Sequence, residues 1–516
     1  MKSTLFIILA LAFGMTHIVI LFPLNYGDAV INIIYARNFS SGGFFEFNPG
    51  EKSFGSSSPF WVVLLAGVLK LFPQNTVLGA KLAGSALYLL TFPLLFIAAR
   101  NIFPGRRTPV FAVFFWSYFS PPAAYGAAAF ETVLLINLVL IFAIIIRAVL
   151  GREKEGAVMF FLAGLVSGLL ILCRFESFLF LLAAGLTVII RRFAFLRKEW
   201  KKFLLLILVF LATVSPYFAY SYGCSGSALP SSGKARLQEA KASASLNGAS
   251  FWSPGAVCFF IARKKLILII LAAAAFLILG RKGKLNPVSI ALAVWFFLDL
   301  IFFTFIFPGA RELERYLYPL VAVLILFSAS GIDTISKLAA SLEKISPAVI
   351  RLALIIFFIA LNSLGIVNSL RLSSSAVPFD LLVEKKLAGW FNSTVPAEER
   401  ILTYEVQQKF YLKNPVLSLD GIIGGEVLPY LFPRGNISEF LKKYRPSYWV
   451  MGSAVLYRPE YRETILRDIA KRPEGDQGSS YEAEGIGFTL MKKAPPDRKE
   501  YPGFSAYRRV YRLDYK

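Results

Sequence analysis

The chain of 516 residues is short of charge, of cysteine and of histidine. Charged residues make up 17% of it, against about 25% in soluble domains, which excludes an ordinary cytosolic protein. Three cysteines, Cys173, Cys224 and Cys258, exclude a disulfide scaffold. None stands in a Cys-x-x-Cys pair, which removes metal knuckles and redox motifs. Cys224 and Cys258 are the pair that could meet on an outer face. The single histidine, His17, lies in an apolar run. Its expected role is structural, since one histidine cannot build a His-rich metal site. Walker A, GxGxxG after a strand and HExxH are all missing, so a cytosolic nucleotide is not used directly.

Apolar residues are abundant: 56% of the chain, with 49 Phe. That excludes disorder and leaves an integral membrane protein. The net charge of +23 comes from 55 Lys and Arg against 32 Asp and Glu. These cations cluster in short stretches between apolar runs, which is membrane-protein placement and implies a lipid bilayer and no nucleic acid as partner.

A crossing helix needs roughly 20 apolar residues. Candidates cover 4–24, 77–99, 108–124, 131–150, 156–173, 177–192, 202–222, 256–280, 286–307, 316–333 and 348–369. The first run lacks an A-x-A cut site and is expected to be a retained span. The run from Pro59 to Phe72 is shorter, a length that suits an interfacial helix. If it does not cross, Arg100/Arg106/Arg107, Arg147/Arg152/Lys154, the Arg191–Lys202 cluster, Arg281/Lys282/Lys284 and Lys337/Lys344 all share one side. The positive-inside rule makes that side cytoplasmic. The expectation is a multi-pass protein of the cytoplasmic membrane with about eleven spans. Its membrane module would be 1–370, with an outer first loop at 25–76. An extracytoplasmic α/β domain at 371–516 would follow, with strands at 400–404, 416–419 and 447–451 and helices at 380–391, 437–444 and 459–470.

Ionisable residues at the membrane are functional candidates because they are costly there. Asp28 follows the first span at once. It could be a general base or the N-cap of the amphipathic stretch Ala29–Phe39, and the two roles are compatible. That stretch carries Tyr35, Arg37 and Asn38. A tightly turned loop follows, Phe47-Asn48-Pro49-Gly50-Glu51 and Ser56-Ser57-Ser58-Pro59, with Phe60 and Trp61 suited to an interface belt. Further polar sets sit at outer span ends: Glu131-Thr132; Arg174 and Glu176; Arg311, Glu312, Glu314 and Arg315 before Tyr316; and Lys234. Each alone suits an interface ion pair. Together they make one patch with carboxylates for acid/base work and cations suited to a phosphate.

Several of these residues resemble the signature of the GT-C glycosyltransferases, with relatives similar to the mycobacterial terminal arabinofuranosyltransferases. The resemblance rests on Asp28-Ala-x-Ile31, Tyr35-Ala36-Arg37-Asn38, Phe47-Asn48-Pro49-Gly50-Glu51 and Ser57-Ser58-Pro59-x-Trp61. It continues through Phe130-Glu131-Thr132, Cys173-Arg174-Phe175-Glu176, Leu229-Pro230-Ser231-Ser232 with Lys234, and Arg315-Tyr316-x-x-Pro319. In the tail it reaches Leu419-Asp420-Gly421 and Tyr444-Arg445-Pro446-Ser447-Tyr448. Many family members have Asp-Asp where this chain has Gly27-Asp28, and Phe175 replaces a proline.

The resemblance implies two interfacial helices after the first span and a polyprenyl phosphate sugar as donor. It also implies an extracytoplasmic glycan, lipid or protein as acceptor, usually with inversion. Asp28 would be the catalytic base. Arg37, Glu131, Arg174, Glu176, Lys234, Arg315 and Tyr316 would contact the donor phosphate or substrate. No metal ligands are assigned; the family leaves a divalent cation open. The alternative is a lipid or solute carrier without transferase activity. Carriers usually place polar sites near mid-membrane in repeated halves, whereas here the charges cluster at span ends.

Overall fold

The computed structural model describes the chain apart from residues 1–2, 25–26, 152–155, 229, 239–253, 307–312, 342–346, 377–378, 405, 432–435, 453–478 and 495–507. Helices α1 (Ser3–Leu21), α2 (Gly27–Ser40), α3 (Pro59–Leu69), α4 (Thr76–Ile102), α5 (Thr108–Tyr118) and α6 (Ser120–Ala127) come first. Next are α7 (Thr132–Gly151), α8 (Ala157–Cys173), α9 (Phe178–Lys198), α10 (Trp200–Ser225) and α11 (231–238). Then follow α12 (Pro254–Arg281), α13 (Pro287–Ile301), α14 (Leu313–Ser341), α15 (Pro347–Ala376) and α16 (Phe379–Thr394). Among the described residues seven helical stretches are long and apolar enough to cross a membrane, and four apolar helices are shorter.

Local chemistry sets the breaks. Pro59 sits in the first turn of α3, where its missing N–H costs nothing. With 11 residues α3 is about 16 Å long at 1.5 Å per residue, roughly half of a bilayer core. Asn75 caps α4 by accepting from the Leu78 N–H at 3.1 Å. The expected single helix over 108–124 is instead two, broken at Phe119. Pro121 and Pro122 start the second helix and cannot donate backward into the first. Gly84 of α4 and Gly126 of α6 meet backbone to backbone, and a Cβ on Gly84 would run into the Gly126 carbonyl. Small residues permit this close approach. Asn137 of α7 ties α4 by donating to the Leu87 carbonyl at 2.9 Å.

After α16 comes a six-stranded sheet, β1 (Ile401–Thr403), β2 (Val416–Ser418), β3 (Tyr448–Gly452), β4 (Ser480–Ala483), β5 (Ile486–Ala494) and β6 (Arg508–Tyr515), in the order β2-β1-β3-β6-β5-β4. The β2-β1-β3 half is parallel, and the rest is antiparallel. The parallel half, α16 and α18 (Ile437–Tyr444) match the strand and helix expectations, whereas α17 (Leu428–Leu431) was not expected. Strands β4 to β6 were not expected, and 459–470 lies outside the described residues. Alternation along the strands gives two faces. Leu402, Trp449, Met451, Phe488 and Tyr511 pack with Phe440 and Leu441 of α18. Ile401, Val416, Val450 and Val510 join Phe391 of α16 in the apolar cluster of the helical part.

Candidate functional site

Three seams bring chain segments together at one end of the bundle. Glu131 directly precedes α7, and its carbonyl accepts from the Leu135 N–H at 2.9 Å. Arg174 leaves α8 in an extended conformation, φ −158°, ψ 128°, and a 3₁₀ turn at Phe175–Ser177 leads into α9. Arg315 and Tyr316 stand in the first turn of α14. The first loop closes over these ends. Tyr217 of α10 donates to the Ser56 carbonyl at 2.9 Å, and Trp61 of α3 donates to the Ala129 carbonyl at 3.0 Å. Trp61 is fully buried rather than in an interface belt, because this bond fixes it against the turn before α7.

The result is a cavity of about 400 Å³. Its polar wall carries Asn32, Ser56, Ser57, Glu131, Arg174, Glu176, Ser232, Arg236, Arg315 and Tyr316, and its apolar wall includes Phe175, Phe178, Phe302 and Phe303. Arg174 is its centre. The guanidinium donates to Glu131 Oε1 at 2.6 Å and to Glu176 Oε1 at 2.5 Å. It also lies 4.3 Å from the centre of the Tyr316 ring. Burial opposes its charge, but Glu176 and Glu131 more than offset this and raise its pKa above the ordinary arginine value. Arg315 stacks over Phe130 at 4.9 Å and over Tyr316 at 5.5 Å. Asn32 of α2 makes a long 3.4 Å contact to the second Glu131 oxygen.

The expected residues therefore divide. Glu131, Arg174, Glu176, Arg315 and Tyr316 line one cavity. Helix α2 begins at Gly27, so Asp28 lies inside its first turn instead of before it. Asp28 is one turn ahead of Asn32 and on the same face by the helical period; its side chain lies outside the described residues. Arg37 is not on the cavity wall. It donates to the Phe410 carbonyl at 3.2 Å and stacks over the Phe410 ring at 5.0 Å. Lys234 is absent from the wall as well, and Arg236 of the same helix stands there. Arg311 and Glu312 lie outside the described residues.

Sequence reasoning missed Arg236, Asn32, Ser232 and Asp299. Positions 234 and 236 are two residues apart, on different faces of a helix, so choosing between them required the helix register. Ser232 Oγ is buried and has no hydrogen-bond partner among the described residues. Asp299 of α13 is buried, and its Oδ1 also lacks such a partner. Its signal was present: it is the sole charge in the apolar run 286–307. Cys173 and Cys224 are free thiols, while the Cys258 side chain lies outside the described residues. His17 is buried with Nδ1 2.6 Å from Ser369 Oγ.

No family model and no curated protein matches the sequence. Solved structures do. ArnT from Cupriavidus metallidurans, bound to undecaprenyl phosphate, matches with TM-score 0.61 and 14% identity, over 98% of this chain and 97% of that one. The archaeal oligosaccharyltransferase AglB from Archaeoglobus fulgidus, with an inhibitory peptide and a dolichol-phosphate, matches with TM-score 0.59 and 11% identity, over 87% of this chain and 69% of that one. At such identities the likeness is one of fold. The resemblance read in the sequence holds at that level: a helical membrane module with a C-terminal sheet region, in the fold of the GT-C glycosyltransferases.

Proposed function

We propose that the chain is a glycosyltransferase of the cytoplasmic membrane that moves a sugar from a polyprenyl phosphate donor to an extracytoplasmic acceptor. The observation that carries this reading is the charge inside the cavity. Three guanidinium groups, Arg174, Arg236 and Arg315, stand against two carboxylates, Glu131 and Glu176. Guanidinium groups gathered on one wall suit a phosphate, whose oxygens accept their paired N–H donors. The solved structures of like fold with undecaprenyl phosphate and dolichol-phosphate support it. The carrier alternative gains no support from them.

The chemistry follows from the placement. The donor phosphate meets the arginines, and its lipid tail runs along Phe175, Phe178, Phe302 and Phe303. Asp28 takes the proton of the acceptor hydroxyl as that oxygen attacks the anomeric carbon. The bond from that carbon to the phosphate oxygen breaks, and the phosphate keeps the electron pair. Fixed cations stabilise this developing charge without reorganising. A single displacement inverts the anomeric centre. The sugar transferred is a pentose or a hexose. Glu131 and Glu176 are already held by Arg174, so a divalent cation would be held by the donor phosphate itself and would supply charge neutralisation there. The division of labour is a membrane module over 1–370 and an extracytoplasmic domain over 371–516.

The test is transfer of label from a polyprenyl phosphate sugar by the purified protein, with Asp28→Asn as the control. Asparagine is nearly isosteric and cannot accept a full proton. Transfer should fall about 10²–10⁴-fold while the melting temperature holds. An Asp28→Asn protein with normal turnover would move the base to Glu131 or Glu176.

A further inference from the structure

A second cavity of about 240 Å³ lies behind the wall of the first. The partition is backbone on backbone. Ile422 lines the first cavity and Ile423 the second. Ser53 donates to the Ile423 carbonyl at 2.8 Å and Ser231 to the Ile422 carbonyl at 2.7 Å. A Cβ on Gly55 would lie 2.5 Å from both carbonyl oxygens. The first loop and the sheet region thus build the two cavities together.

The second cavity has different chemistry. Its charged groups are Glu51, Lys52, Arg400 and Glu426, two of each sign. Glu51 already bridges Arg400 at 2.7 Å. With the charges balanced, neither a phosphate nor a metal cation is favoured. Carboxylates that accept and cations that donate, close together, match hydroxyl groups, which do both. The volume falls below the roughly 300–1,000 Å³ of whole-ligand pockets, which limits the occupant to one ring. The Glu426 carboxylate is folded over Gly424, and a Cβ there would run into both of its oxygens.

We propose that this second cavity is a subsite for one neutral, polyhydroxylated ring, a sugar unit of a glycan acceptor, held by Glu51 and Glu426 as acceptors and Lys52 and Arg400 as donors. The subsite rests on the glycosyltransferase reading only in naming the sugar as part of the acceptor. Saturation-transfer NMR on the full-length protein in detergent tests it, with the methyl glycosides of arabinofuranose, galactofuranose, glucose and mannose as probes. At least one should bind. Glu426→Gln should weaken it about tenfold or more, the loss of one charge-assisted hydrogen bond. Gly424→Ala should do the same by displacing the carboxylate while keeping its charge. Its backbone is outside the left-handed region, and Glu426 is exposed, so both variants should fold. Undecaprenyl phosphate binding, measured on the same samples, should be unchanged in both. The subsite is overturned by silence of every probe, by unchanged affinity in both variants, or by loss of the signal in Arg236→Gln, which would put the sugar in the first cavity. Failure of undecaprenyl phosphate to bind the wild-type protein would count against the donor reading instead.

Discussion

Arg174 and Arg315 both line the cavity, yet they should respond differently to removal. Arg174 is clamped between two carboxylates, and the Glu131 side chain is only 4% exposed. Arg174→Ala leaves Glu131 buried and unpaired, a loss of about 3–5 kcal/mol, so the variant should melt early as well as lose transfer. Arg315 meets ring faces. Arg315→Ala should lose donor affinity, by about 1.5–3 kcal/mol for a charge-assisted contact. Thermal melts beside undecaprenyl phosphate titrations separate the two, and normal donor affinity in Arg315→Ala would remove it from the phosphate site. Lys409 offers a prediction in pH. It is buried and donates to the carbonyls of Lys413 and Asn414 at 3.1 and 2.7 Å. Burial, helped by Arg37 and opposed by Glu51, brings its pKa from 10.5 down to about 8. Between those values the unfolded chain binds more protons than the folded one, so stability should rise as pH goes from about 8 to 10.5. Below pH 8 both forms are charged and the folded state bears the full burial cost. Lys409→Met should show a flatter melting curve against pH over that window; an unchanged slope would contradict the shift. At this scale the sequence was legible where a charge stood at a span end, as with Glu131, Arg174, Glu176 and Arg315. It was not legible for Arg37, whose partner is a carbonyl 373 positions away.

Between elements, one side chain does the work of a strand. Val416 lies on β2, the edge of the sheet. Asn48 of the first loop donates to its carbonyl at 2.9 Å and accepts from its N–H at 2.9 Å. The amide completes the open edge and couples the loop that roofs the cavity to the sheet. Asn48→Asp keeps the shape but turns an oxygen toward the Val416 carbonyl. An unmet buried group costs about 1–3 kcal/mol, so the variant should melt earlier. Its turnover should fall with donor affinity kept, because the cavity arginines stand on other elements. Equal loss of donor affinity would mean that the roof also shapes the phosphate site. Elements were legible in proportion to their hydrophobic period. Every expected apolar run is covered by helix, and β1 to β3 appear where β-rich runs stood. The hairpin of β4 and β5 turns on Glu484 and Gly485, both at positive φ. Its strands mix Ser480, Glu482, Thr489, Lys492 and Lys493 with apolar residues, too irregular a pattern to stand out in a charged tail.

For the whole molecule, the cavity and the cation clusters mark opposite ends of the bundle. The junctions α6 to α7, α8 to α9 and α10 to α11, with the end of α13 and the start of α14, all reach the cavity. The junctions α4 to α5, α7 to α8, α9 to α10 and α12 to α13 carry Arg106 and Arg107, Arg147, Arg191 to Lys202 and Arg281 to Lys284. Those ends touch one another. Arg147 donates to the Asn101 carbonyl at 3.1 Å, and Asn286 donates to the Ile102 carbonyl at 2.5 Å. The positive-inside rule assigns the cation end to the cytoplasm. The sheet grips the first loop directly, through Arg400 to Glu51 and Asn48 to Val416, whatever the number of spans. Loop, cavity and sheet must then share a side, and we propose that it is the extracytoplasmic one. Alkaline phosphatase fused after Lys516 should be active, and green fluorescent protein fused there should be dark. The same reporters fused within the Arg191–Lys202 segment should give the opposite pattern. Bright fluorescence at the C-terminus would turn the molecule over and bring the arginine cavity to the cytoplasmic face, where a nucleotide sugar would replace the lipid-linked donor as the substrate to test.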